Sequence, residues 1–69
     1  MTLEEKLGKT IMARRREQLI SQEDFARKAG ITRSYMSHIE NGKRVVSIAI
    51  IEKIAKTLGT TLAELFRDL

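Results

Sequence analysis

Apolar residues recur along this chain at helical spacing, in five stretches separated by polar or glycine breaks. Leu3, Leu7 and Ile11 repeat every four residues and predict a first helix from about Leu3 to Gln18 with one apolar stripe. Thr2, with Glu5 three residues on, reads as a capping box at its start. A second helix is expected from Gln22 to Ala29, behind Ser21 as N-cap, with Phe25, Ala26 and Ala29 inward. Gly30 ends it in the left-handed conformation that glycine adopts without strain. The third runs from Arg33 to Glu40 behind Thr32. Met36 and Ile39 point inward and leave Arg33, Ser34, Ser37 and His38 outside, until Asn41-Gly42 turns the chain. The fourth, Ile48 to Leu58 behind Ser47, buries Ile51, Ile54, Ala55 and Leu58 and stops at Gly59. The fifth, Leu62 to Asp68, starts with a second capping box, Thr61 and Glu64, and has Leu62, Leu65 and Phe66 as its apolar face.

The class is therefore all-α, and 69 residues make one domain, 1–69. With 42% apolar and 32% charged residues it folds rather than staying disordered, though a domain this small buries only about 60% of its unfolded surface. There is no cysteine, so no disulfide staples it and no thiolate serves as nucleophile or metal ligand; this suits a reducing, cytoplasmic setting. One histidine and no cysteine cannot make a four-ligand zinc centre, and no cofactor is implied. The longest apolar run is the four residues Ile48 to Ile51, far short of a membrane span. The start, MTLEEKLGK, has two early acids and no apolar core, so it is not read as a signal peptide.

Charge changes the picture more. From Arg27 to Arg44 there are five basic residues and one acid, a net +4. That equals the net charge of the whole chain, so everything else balances. The cationic surplus sits on one supersecondary unit, as expected of a surface that meets a polyanion. Short helix, three-residue turn and second helix over about 21–40 fit the helix-turn-helix pattern. Ala26 lets the helices cross closely, Gly30 makes the turn and Ile31 plugs the gap beneath it. In such a unit the N-terminal residues of the second helix reach base edges in the major groove, here Thr32, Arg33 and Ser34, with His38 a turn further on.

The spacing Ser21-Gln22, Ala26, Gly30-Ile31, Ser37, Ile39-Glu40-Asn41-Gly42 resembles the Cro/CI-type helix-turn-helix proteins, the XRE family, from about Leu7 to Phe66. Within it, ITRSYMSHIENGKRVVSIAIIEKIAKTLG is most similar to the controller proteins of restriction–modification systems, small single-domain dimers that regulate their own operon. The resemblance implies a five-helix, lambda-repressor-like DNA-binding domain that binds a palindromic operator as a homodimer. It implies double-stranded DNA as partner and RNA polymerase as a further one, with no membrane role. It places Gln22 on phosphate while bracing the recognition helix, with Ser21 beside it. Arg33 falls at the base-reading position, where it would bond guanine O6 and N7 bidentately. Thr32, Ser34, Ser37, His38 and Asn41 fall at further base or phosphate positions, Tyr35 on the sugar-phosphate backbone, and Lys43 and Arg44 in a phosphate-gripping loop. Arg15 and Glu40 match a structural ion pair.

Two positions depart from the family. Leu19 stands where glycine usually ends helix one; either leucine is strained at a positive φ or the helix ends differently. Arg14 stands where a buried leucine is usual; it reaches outward toward DNA or lies over the core by its stem, and with Arg16 it is read as mostly solvated.

Val45, Val46, Ile48 and Ile50 exceed the need of one small core, and with Leu69 they are read as a dimer seam. Ordinary apolar surface is the plainer alternative. A rival function is a protein-interaction module, such as an antitoxin or an antirepressor-binding regulator, using the stretch from Val45 to Ile51. Catalysis fares worse: Ser34 and His38 are at i, i+4, but no oxyanion element accompanies them, and the chain is read as no enzyme.

Overall fold

A Ser or Thr opens every helix of the computed structural model, which describes residues 1–43 and 47–69. The helices are α1 (Leu3–Glu17), α2 (Gln22–Ala29), α3 (Arg33–Glu40), α4 (Ile48–Leu58) and α5 (Leu62–Arg67). Each opening hydroxyl accepts from a backbone N–H of the first turn, at 3.0–3.2 Å. Such a cap contributes about 1 kcal/mol, a large share in a domain this size. Arg44, and with it the expected seam residues Val45 and Val46, lie outside the described residues.

The caps differ in one respect. Thr2 and Glu5 make the full reciprocal box, Thr2 N donating to Glu5 Oε1 at 2.8 Å. The expected second box is one-sided: Thr61 accepts from Glu64 N, while the Glu64 carboxylate pairs with Arg67 Nη1 at 3.1 Å on the next turn. Gly30 and Gly59 close α2 and α4 at φ of 75° and 79°. α1 and α5 each stop one residue short of expectation, with Gln18 and Asp68 as C-caps.

The core draws on all five helices: Leu7 and Ile11; Phe25, Ala26 and Ala29; Met36 and Ile39; Ile51, Ile54, Ala55 and Leu58; and Leu65. α1 packs on α3, α4 and α5, and α2 on α3 and α4, so α3 is seated from both sides. Two expected core residues are not in it. Leu3 is 58% exposed, because the apolar stripe runs one turn past the region that the other helices cover. Phe66 is exposed beside fully buried Leu65, since the six-residue α5 turns only one side to the core, with Leu62 half-buried. Ile50 and Leu69 are half-buried against the core, whereas Ile48 is 69% exposed.

Both departures from the family pattern resolve. Leu19 takes φ 59° and is 93% exposed, so the strained alternative holds. A left-handed L-residue costs about 1–2 kcal/mol. Arg14 is neither free nor turned to a ligand: it forms an ion pair with Asp68, since α5 lies alongside α1.

Candidate nucleic-acid interface

The cationic unit is built around the two ends of α3. Its C-terminal end carries Glu40, 3% exposed. Glu40 Oε2 accepts from Arg15 Nε at 2.7 Å, and Oε1 accepts from Arg15 Nη2 and Gln22 Nε2, each at 3.0 Å. Arg15, 7% exposed, also donates through Nη1 to the Ile20 carbonyl at 2.8 Å. One buried network thus ties α1, the α1–α2 turn, α2 and α3 together. The two-point fork between guanidinium and carboxylate fixes angle as well as distance. Donation to the Glu40 carboxylate holds the Arg15 guanidinium above its ordinary pKa, against a smaller opposing effect of burial. Among the described residues no buried side-chain polar atom lacks a partner.

The N-terminal end is exposed. Thr32 caps α3 by accepting from Tyr35 N, and Arg33 and Ser34 stand in solvent. α1 and α2 carry two acids each in their first turns, Glu4 with Glu5 and Glu23 with Asp24; α3 has none and begins with a cation. Backbone N–H groups already give a helix N-terminus positive character, so Arg33 sits where a cation costs about 0.3–1 kcal/mol. That arrangement costs stability and favours an anionic partner.

Ser34 and His38 form a ridge between two open depressions. One, about 360 Å³, is lined by Gln22, Arg33, Ser34, Ser37 and His38. The other, about 440 Å³, is lined by Gly30, Ile31, Thr32, Ser34, Tyr35 and His38. Gln22 therefore has two jobs: its amide braces Glu40, and its side chain borders the face that Arg33 occupies. Tyr35 is half-buried against the core and lines the second depression. Ser21 is exposed and its oxygen caps α2, accepting from Asp24 N. Beside it, Glu23 and Asp24 oppose an anion, although Asp24 pairs with Arg27. Ser37 accepts from Asn41 Nδ2 at 3.4 Å, and Asn41 itself is the exposed C-cap of α3. Lys43 is exposed, with its backbone N–H on the His38 carbonyl at 2.9 Å. The described members of the expected DNA-facing set thus share the surface around α3, while Ile48, Ile50 and Leu69 lie on α4 and at the end of α5.

Pattern reading missed two residues that fix how the helices pack. Gly8 is buried inside α1, and a Cβ built there would overlap the Ile39 carbonyl oxygen and lie 2.7 Å from that of Glu40. The available signal was a glycine inside a helix, which costs about 1 kcal/mol against alanine and so asks for a packing reason. Gln18 donates from Nε2 to the Leu58 carbonyl at 2.7 Å and fastens the end of α1 to the end of α4.

Known proteins share this arrangement. The family model described as Helix-turn-helix matches residues 11–65. The control protein C.MunI of a Mycoplasma species is 54% identical over 50 residues, 72% of this chain and 68% of that protein. The restriction–modification controller protein C.AhdI of Aeromonas hydrophila superposes with a TM-score of 0.86 at 37% identity, over 90% of each chain. The controller protein C.Esp1396I, solved as a tetramer on its natural 35-base-pair operator, superposes at 0.88 with 33% identity, over 97% of this chain and 88% of that one. With the family match running from within α1 to Leu65 of α5, the chain belongs to the helix-turn-helix family of DNA-binding regulators, of the XRE type.

Proposed function

We propose that this protein is a transcriptional regulator of the restriction–modification controller type, acting in the cytoplasm, which binds a palindromic operator as a homodimer. The bare cationic N-terminus of α3, held at a fixed angle by the buried Arg15–Glu40–Gln22 network, carries this reading. In it Arg33 reads a base edge. Ser34, Ser37 and His38 fill the groove beside it, and Ser21, Gln22, Lys43 and Arg44 hold phosphates. The controller proteins among the relatives support the subclass, and one neighbour's operator complex supports the ligand. The work is binding rather than catalysis.

Size agrees with a two-fold dimer. The protomer measures 26 × 22 × 21 Å, so two side by side have room to set their α3 helices about 34 Å apart, one turn of B-DNA. One protomer offers few contacts, and linking two half-sites raises effective affinity without any new contact. Exposed Ile48 favours a second reading, in which α4 presents an apolar face to a different protein. Light scattering separates the two: a stable homodimer supports the first, a self-indifferent monomer the second. Contact with RNA polymerase is the finest part of the proposal, read by transcription in vitro from an operator-bearing promoter. Selection of duplexes from a random pool tests the core of it. Enrichment of inverted half-sites one helical turn apart is expected, and a pool that never departs from random removes the reading.

A further inference from the structure

We infer that Gly8 is a positioning residue for operator recognition: α1 seats its bare backbone on the last turn of α3 and thereby sets where Arg33 meets the groove. This rests on the proposed reading of α3 as the element that enters DNA.

Three contacts from α1 converge on one end of α3. Arg15 forks onto the Glu40 carboxylate. At Gly8, a Cβ would fall within 2.7–2.9 Å of the Glu40 carbonyl group and closer still to the Ile39 oxygen. At Gly42, just beyond α3, a Cβ would fall 2.7 Å from the Cα of Glu5 and 3.0 Å from its N. The obstructing atoms at Gly8 are backbone, so no rotamer change relieves the overlap. Ordinary contact begins near 3.4 Å, so any side chain at position 8 drives the two helices apart by roughly half an ångström or more.

The displaced end is the one opposite the proposed reading head. α3 has eight residues, about 12 Å of helix, and moves as a rigid rod at this scale. Directional bonds to base edges need placement within about 0.5 Å, whereas attraction to phosphates falls slowly with distance. A lift at the seat therefore removes discrimination before it removes non-specific affinity. A glycine kept only for packing would show the opposite: lower stability, and unchanged discrimination in every molecule that stays folded.

The test measures the affinity of wild type and Gly8→Ala for the selected operator and for a scrambled duplex, at low temperature, with circular dichroism reporting the folded fraction. Ile54→Val, in the core on α4, serves as a destabilised control. The ratio of operator to scrambled affinity is expected to fall about tenfold or more in Gly8→Ala, with scrambled binding within about twofold of wild type and the control ratio unchanged. A folded Gly8→Ala that keeps the wild-type ratio, or loses both affinities equally, overturns the inference. Should Gly8→Ala not fold, Arg15→Lys decides: it keeps the charge but loses the fork at the same seat, and a wild-type ratio in it overturns the inference too. A wild type that does not discriminate at all points instead to failure of the operator reading, and the inference falls with it.

Discussion

At its C-terminal end α3 places Glu40 in the interior, its two oxygens taking three hydrogen bonds from Arg15 and Gln22. At its N-terminal end it places Arg33 in solvent, at the helix pole that disfavours a cation. The same eight-residue helix thus has one end whose groups are satisfied within the fold and one end that gains only when an anion arrives. Changes at the exposed end should therefore register chiefly in binding, whereas changes at the buried end should register in unfolding and, through the seat that aims α3, in discrimination as well.

The largest expected effect is at the buried end. Glu40→Ala leaves the Arg15 guanidinium without its carboxylate in the interior and should cost about 3–5 kcal/mol in urea unfolding. A loss under 1 kcal/mol would show that water reaches the network and would erase the contrast. Next comes the exposed end. Arg33→Ala should leave unfolding free energy unchanged or raised by a few tenths of a kcal/mol, because it relieves the helix dipole. The same change should weaken operator binding by about 1–3 kcal/mol and flatten the penalty for a mismatch at one base pair. Lys43→Ala should instead weaken all duplexes alike and reduce the salt slope by about one unit. Equal mismatch penalties in wild type and Arg33→Ala would reassign Arg33 to a phosphate.

Smaller effects lie at the two ends of α1 and just beyond. Leu19→Gly relieves a positive φ at a residue with almost no contacts and should raise stability by about 1 kcal/mol, seen as a higher urea midpoint at unchanged slope. The smallest concerns pH. Bonds from Thr2, first from its backbone N–H and then from its hydroxyl, hold the Glu5 carboxyl below its usual range. Its contribution to the cap of α1 is therefore present above the unfolded carboxylate pKa and is lost as pH falls through the lowered folded value. An NMR titration should find Glu5 below the usual glutamate range, and the shift should shrink but persist in Thr2→Ala, which loses the hydroxyl and keeps the backbone N–H. A Glu5 inside the usual range would mean that the box does not persist in solution.

The starts of all five helices were legible because each follows a Ser or Thr that a cap requires, and the ends at Gly30 and Gly59 because a left-handed residue is needed there. Inward faces were legible where a helix is flanked on both sides, as at Phe25 and Met36. They failed at Leu3, where α1 outruns its neighbours, and at Phe66, where α5 is covered on one side only, because periodicity carries no information about what lies opposite. The contact of Arg15 with Glu40, 25 positions apart, came from likeness to a family and not from spacing. Gly8 passed unnoticed because a close approach between backbones leaves no pattern in polarity; only the partner helix reveals it. Arg14 was misjudged for a related reason, since nothing local announces that Asp68 will come to lie beside it.

The spread of the core over the whole chain has a consequence for synthesis. Among the described residues, five of the twelve buried apolar side chains, Ile51, Ile54, Ala55, Leu58 and Leu65, follow the motif. When the ribosome has released residues up to Asn41, both helices of the motif are present in sequence, yet α2 lacks the α4 it packs on and α1 lacks both α4 and α5. Competence should therefore arrive only after α5 has cleared the exit tunnel, and not as the motif itself emerges.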